Sequence, residues 1–487
     1  MSVSRRNFLA LAGAGVAAAS IVSPLDLFYQ KVSAGEITSG PGFGPLFPKL
    51  PENADELAGL VVGGIDLGTT PILELPKGFN YTAISITGQP MNDGGTVPAL
   101  HDGMAAFRGS NNTTLLVRNH EVGSNGSNPA VPSNGNMYDQ LGGGTTTLVI
   151  GADRLVKFQY TSIAGTIRNC AGGPTPWGSW ITCEENVSLP GASGGVTKKH
   201  GYNFEVPASE TINVAEPIPL VAMGRFNHEA VAVEDETGWV FETEDEGDSL
   251  LYRFRPNVRG DLRSGGVLEA LKITDSRVAS LTDPNNGNPI TEASTGSVNT
   301  VRGVDSLKNV PLEVTWVTID TPDPVDNATA NRTRTQGRVK GAARFSRGEG
   351  AWYGNGATYF VCSNGGNDGR GQVFAYKSDR NDPTRGWLTL VVEATWNPDG
   401  SDGTVAAPDN ICVAPFGDLF LCEDGSGTEF VVGVNTSGEL YRFAANVLNG
   451  SEFAGACFSP DGKTLFVNMQ TPGITFAIWG PWTRKRG

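Results

Sequence analysis

Along most of this chain, apolar residues recur in short runs rich in Val, Ile, Thr, Phe and Tyr, broken by Gly, Pro, Asn and Asp. Such runs predict β-strands joined by tight turns, and few windows carry the 3.6-residue period of a helix. The 64 Gly and 30 Pro in 487 residues strengthen an all-β assignment with helix as a minor component.

Self-comparison organises the strands. Six segments align, beginning HDGMAAF at His101, NCAGGPTPWG at Asn169, HEAVAVE at His228, GEGAWYG at Gly348, PDNICVAP at Pro408 and FAGACFSP at Phe453. In each, a second strand ends on polar residues. Cys170 to Glu185, Glu349 to Asn364 and Asp409 to Asp424 are fifteen apart, and Glu229 to Asp245 and Ala454 to Gln470 sixteen; the first copy, Asp102 to Glu121, is longer. Third strands are expected at Thr145, Tyr202, Leu250, Gln372, Glu439 and Ile474. Six such units predict a six-bladed β-propeller with inserted loops. The interval 256–341 is expected to hold the rest of one blade and a surface insertion, and Tyr81–Thr87 to supply an outer strand closing the ring on the last blade.

Innermost strands line a propeller's channel, so Asp102, Cys170, Glu229, Glu349, Asp409 and Ala454 are expected to form one ring near one mouth. The second-strand ends add Glu121, Glu184, Glu185, Glu244, Asp245, Glu423 and Asp424. Like charges gathered in a partly buried place repel unless a cation compensates, which points to a multi-metal centre. Oxygen ligands suit calcium, and a thiolate suits iron or zinc. Cys170 therefore reads as a metal ligand, against the alternative of an inert buried thiol. Cys183, Cys362 and Cys422 share one repeat position with Thr243 and Asn119 and read as packing residues. Taken singly, Glu184, Glu244 and Glu423 fit turn formers or solvated charges as well as ligands, and His120 and His228 fit structural roles. Arg347, two residues before Glu349, is placed either to hold an anion or to pair with a ring acid.

The amino terminus adds an address. Ser4, Arg5, Arg6, Asn7, Phe8 and Leu9 lead into a moderately apolar stretch ending at Val22, the layout of a twin-arginine export signal, with cleavage expected after Ala34. Residues 35–487 would then form the single propeller domain. Removing residues 1–34 takes away three basic residues and one acidic one, so the net charge of -15 becomes -17. That surplus argues against nucleic acid as a partner. No later stretch is long and apolar enough for a transmembrane helix.

The motifs LPKGFNY from Leu75, RNHE from Arg118, NCAGGPTPWGSWITCEEN from Asn169, TEDEGDSLLYRF from Thr243, RFSRGEG from Arg344, PDNICVAPFGDLFLCEDG from Pro408 and FSPDGKTLFVNMQTPGITFAIWGPW from Phe458 resemble the PhoX-type alkaline phosphatases. The similarity runs through nearly the whole mature chain. It implies a periplasmic or secreted six-bladed propeller that hydrolyses phosphomonoesters with Ca2+ and Fe3+. It further implies Cys170 as an iron ligand, Glu185, Glu229, Glu349 and Asp409 as metal ligands, and Arg347 as the phosphoryl-binding residue. Asp102, Glu121, Asp245 and Asp424 complete the expected metal set. Two positions depart from the family's pattern: Gly348 stands where RPEG has proline, and Thr471 where QHPG has histidine. The expected partners are phosphomonoesters and the twin-arginine export machinery, and the chain is expected to be a monomer. Competing readings are a calcium propeller lactonase and a metal-stabilised binding propeller without activity.

Overall fold

The computed structural model describes residues 42–482 apart from 124–129, 133–135, 276–290, 295–296, 301–307, 367, 400 and 402. The export signal expected at residues 1–34 lies outside the described residues.

Each aligned repeat is an antiparallel blade. Blade 1 comprises His101–Arg108, Thr114–His120, Gly143–Ile150 and Val156–Thr166, and blade 2 is a three-stranded sheet of Asn169–Pro174, Ser179–Glu184 and Asn203–Pro207. Blade 3 runs through His228–Val233, Val240–Glu244, Tyr252–Val258 and Asp261–Ile273; blade 4 through Gly348–Gly354, Ala357–Cys362, Gln372–Ser378 and Arg385–Glu393. Blade 5 comprises Pro408–Val413, Leu419–Glu423, Phe430–Val434 and Leu440–Asn446. Its third strand is Phe430–Val434, so the run from Glu439 is the fourth strand, a correction to the repeat. Blade 6 joins Phe453–Phe458, Thr464–Met469 and Ile474–Trp479 to Asn80–Ile86, which comes from before blade 1. This last pairing closes the ring where Tyr81–Thr87 was expected to close it.

Two observations establish the ring of six among the described residues. The innermost strands contact one another in a closed cycle, blade 1 to 2 and so on to blade 6 and back to blade 1. Six apolar clusters also fill the six junctions, for example Ala105, Val117, Ile163, Trp180 and Phe204 between blades 1 and 2, and Val231, Val240, Tyr252 and Ile181 between blades 2 and 3. Each blade thus buries its two faces on its neighbours, which is why no single hydrophobic core is needed. The interval 256–341 carries the outer strand of blade 3 and a further strand, Leu312–Thr318, which pairs with Asp261–Ile273 of blade 3 and Arg385–Glu393 of blade 4. That strand stitches the outer edges of two blades into one nine-stranded sheet.

The ring is narrow because backbones touch at its centre. In every blade the pairing of first and second strands slips at the start, so that two residues oppose one: Asp102 and Gly103 face Asn119, and Glu349 and Gly350 face Val361. Such a bulge turns successive side chains out of the regular alternation and re-aims one of them at the axis. Glycine follows the axial position where strands come closest. A Cβ on Gly103 would lie 2.5 Å from Ala171 Cα, and one on Gly350 would lie 2.6 Å from Asp409 O and 2.7 Å from Asn410 Cα. Below this level the axial space, lined by Gly103, Ala230, Gly350, Trp352 and Gly455, shrinks to about 10 Å³, roughly the room of one water.

Gly350→Ala must push blades 4 and 5 apart. We expect a loss of about 1–3 kcal/mol in urea unfolding, since the clash is with backbone; unchanged stability would show that the junction yields freely.

Candidate active site

The six blades present the same two chain ends to one mouth. In each, the residue after the second strand donates its backbone N–H to the carbonyl of the residue before the innermost strand: Glu121 to Leu100, Glu185 to Arg168, Asp245 to Asn227, Ser363 to Arg347, Asp424 to Ala407 and Gln470 to Glu452. The clasp holds four of the acceptors in the left-handed region without glycine, with φ of 49° at Leu100, Arg168 and Arg347 and 43° at Ala407. Such strain, of order 1–3 kcal/mol per residue, persists only where the surroundings fix it.

The ring acids do converge. Asp102, Glu121 and Cys170 offer ligand atoms within 4.8 Å of one another, as do Cys170, Glu185 and Glu229, and Glu229, Glu349 and Asp409. The three sets share Cys170 and Glu229, so they form one continuous arc over blades 1 to 5. Burial and then the neighbouring carboxylates drive the pKa values upward: Asp102 through Glu121 and Asp409, Glu229 through Glu349 and Asp409, and Glu349 through Asp245 and Asp409. Asp409 is pushed up to about 8 and Glu185 to about 7, in both cases chiefly by burial, and burial also raises Asp424. The Cys170 thiol is raised well above its usual value by burial and then by Glu121 and Glu185, and it donates to Glu185 Oε2 at 3.0 Å.

This is a donor set that fits cations. Carboxylates in such numbers, with one oxygen of Asp409 buried and without a hydrogen-bond partner among the described residues, stay protonated unless positive charge joins them. The arc divides chemically, since sulfur lies in the two sets on blades 1 to 3 and the third set is all oxygen.

Two guanidiniums stand on the rim. Arg347 Nε lies 2.9 Å from Asp245 Oδ1 and its Nη2 2.9 Å from Glu349 Oε1. Arg168 Nη2 lies 2.5 Å from Glu121 Oε1 and 2.6 Å from Glu185 Oε2. Burial works against the charge of each, but Glu349 and Asp245 raise Arg347, and Glu185, Cys170 and Glu121 raise Arg168. Gln470 Nε2 donates to Glu121 at 2.7 Å and Asp102 at 3.2 Å, and Ser363 Oγ to Glu349 at 2.9 Å.

The structure corrects the repeat in blade 4. Ser363, in place of Asn364, is the equivalent of Glu185, and Val361, in place of Cys362, shares the position of Cys183 and Cys422. The cause is a two-residue turn at Asn355–Gly356, both at positive φ, which makes this hairpin one residue shorter than that of blade 5. Glu184, Glu244 and Glu423 are neither solvated nor in the ring. Glu184 accepts from the Ile167 and Gly201 N–H groups and pairs with His200, Glu244 pairs with Arg334 and Tyr252, and Glu423 accepts from Ala406 and Phe430 N–H. His120 bonds Ala99 O at 2.8 Å and Thr146 Oγ1 at 2.9 Å, and His228 bonds Gly224 O at 3.1 Å, which makes both structural. In blade 6 the bulge falls on Gly455 and Ala456, and Ala454 brings no donor. Glu452 supplies a carboxyl there instead, its pKa raised to about 11 by burial and then by Asp409, Asp102, Asp424 and Glu121. Glu452 and Arg168 were missed because the alignment began one residue too late to include their column.

A ring of blades around buried acids and a thiol defines a β-propeller with a cation-fitting mouth. Over residues 61–473 the sequence matches the family described as alkaline phosphatase PhoX, and the chain belongs to that family. None of the curated proteins matches the chain. Among solved structures, Pseudomonas fluorescens PhoX in complex with vanadate, a transition state analogue, is similar with a TM-score of 0.63 and 18% identity, over 91% of this chain and 98% of that one. A Xanthomonas campestris gluconolactonase follows at a TM-score of 0.40 and 12% identity, over 91% of this chain and 99% of its own. The family assignment favours phosphatase over the lactonase and non-enzymatic readings.

The raised carboxyls set a pH dependence for protein stripped of cations. Unfolded carboxyls ionise near pH 4, whereas Asp409 in the fold holds its proton to about 8, so the folded state binds more protons between those limits and stability falls as pH rises. Thermal melts in chelator should therefore lose about 5 °C or more between pH 5 and 8, and added calcium should restore it. A flat profile in chelator would show that the acids are not crowded.

Proposed function

We propose that this phosphatase hydrolyses phosphomonoesters at the mouth of the ring, with Fe3+ held through Cys170 and Ca2+ held by the carboxylates. Cys170, Glu185, Glu229, Asp102 and Glu121 would hold the iron, a transition-metal ion that accepts thiolate, and Glu349, Asp409 and Glu229, with Asp245 and Asp424 beside them, the calcium. When bound, these ions supply the positive charge that polarises phosphoryl oxygens and activates water. The observation that carries this proposal is the continuous arc of three overlapping ligand sets beside a half-exposed Arg347.

The chain's own groups divide the remaining work. Arg347 points charge-assisted N–H groups at the mouth and stabilises negative charge that develops on the phosphoryl oxygens. Its carboxylate partners, Asp245 and Glu349, hold the guanidinium in place before substrate arrives. Ser363 and Gln470 fix the orientation of Glu349, Glu121 and Asp102. Gly103, Gly350 and Trp352 close the axis beneath, so substrate reaches the acids from one side. Among the departures, Gly348 and Thr471 lie next to Glu349 and Gln470 in the chain, so both stand beside residues of the site. Export by the twin-arginine route, ending in a periplasmic or secreted monomer, completes the proposal.

Hydrolysis of 4-nitrophenyl phosphate by purified full chain should be abolished by chelation, recovered with calcium and inhibited by vanadate, with lactones untouched. Lactone hydrolysis without phosphatase activity would overturn the proposal. Arg347→Ala should lower kcat/KM by about 10²–10³ with the fold intact, as removal of a transition-state donor does; unchanged kinetics would remove Arg347 from the site. Cys170→Ser should lose bound iron on elemental analysis, and undiminished iron would exclude the thiol as its ligand.

A further inference from the structure

Arg347 has a twin. Arg168 precedes the innermost strand of blade 2 as Arg347 precedes that of blade 4, with the same φ of 49° and with its carbonyl in the same backbone clasp. Each guanidinium bridges a blade junction: Arg168 joins Glu121 of blade 1 to Glu185 of blade 2, and Arg347 joins Asp245 of blade 3 to Glu349 of blade 4. Their side chains are 43% and 44% exposed, above carboxylates that are 5–17% exposed. The position itself demands no charge, since blades 1, 3 and 5 place Leu100, Asn227 and Ala407 there.

The two arginines differ in what they have left to offer. Arg347 uses both Nε and Nη2 on its carboxylates, whereas Arg168 reaches both of its carboxylates through Nη2. Arg168 Nε is buried and has no hydrogen-bond partner among the described residues. A buried charged donor without a partner costs free energy, and the guanidinium as a whole, 43% exposed, is tied to its two carboxylates through Nη2. One junction, between blades 2 and 3, separates Arg168 from Arg347 around the ring, and both residues stand in the same backbone clasp beside the acids.

We propose that Arg168 binds a second oxyanion of the substrate, so that the site prefers phosphomonoesters carrying another anionic group. This rests on the phosphatase reading above. Arg168 would act as a specificity residue, with the phosphoryl group remaining at Arg347 and the metal ligands.

The test compares the metal-loaded full chain with Arg168→Gln and Arg168→Lys. Arg168→Gln should lower the preference in kcat/KM for 3-phosphoglycerate over 4-nitrophenyl phosphate, which has one anionic group, about tenfold, the worth of one charge-assisted hydrogen bond. Arg168→Lys should recover part of that loss. Equal losses on both substrates, no loss on either, or reduced metal in Arg168→Gln by elemental analysis would each overturn the proposal. Calorimetric binding of 3-phosphonopropionate against ethylphosphonate separates this idea from turnover. If no phosphoester is hydrolysed, the phosphatase reading fails, yet a wild-type preference for the carboxylated phosphonate that Arg168→Gln abolishes still supports the anion role, and equal binding contradicts it.

Discussion

The repulsion among carboxylates that ring closure forces together is the interaction on which the rest of this molecule depends. Asp102, Glu229, Glu349 and Asp409 come from four different blades, and Asp409 raises the pKa of the other three, with Asp102 and Glu349 also raising that of Glu229. No local sequence would keep them so close. They are held by strands whose backbones touch through Gly103 and Gly350 and by the pairing of Asn80–Ile86 with Ile474–Trp479, which joins a strand from before blade 1 to the last blade. Apolar burial at the six junctions outweighs the cost of crowding acids at the axis, and bound cations would remove that cost. Metal loading and ring stability are thus two views of one equilibrium.

Alternation along the second strands separates structure from chemistry. Glu184 and Glu423 turn toward loops and clamp backbone N–H groups, while Glu185 and Asp424, one residue on, enter the charged mouth. The bulge at each innermost strand does the complementary task, aiming Asp102, Cys170, Glu229, Glu349 and Asp409 at the axis without disturbing the apolar positions that follow. Neighbouring acids therefore have unlike roles for a geometric reason.

Much of this was legible from the residues, because propeller repeats print their period in the sequence. The six innermost strands begin where the alignment placed them, and the clustered acids follow from charge alone once the strands form a ring. What escaped was set by local backbone geometry. A tight Asn355–Gly356 turn shifted blade 4 by one residue and hid Ser363, and in blade 5 the fourth strand, Leu440–Asn446, stood in for the third at Phe430–Val434. Arg168 and Glu452 were hidden for another reason: the residue before each strand has no shared side-chain chemistry, only a shared backbone bond. Long-range pairing such as Leu312–Thr318 across two blades leaves no periodic mark at all.

The central claim is that the shared acids and thiol form one metal centre. Anomalous diffraction at the iron edge, from crystals of the full chain grown with calcium, tests it most directly. The account predicts an iron peak within bonding distance of Cys170 Sγ and the Glu185 and Glu229 carboxylates, with calcium density against Glu349 and Asp409. An empty ring, or metal bound only outside it, would contradict the account.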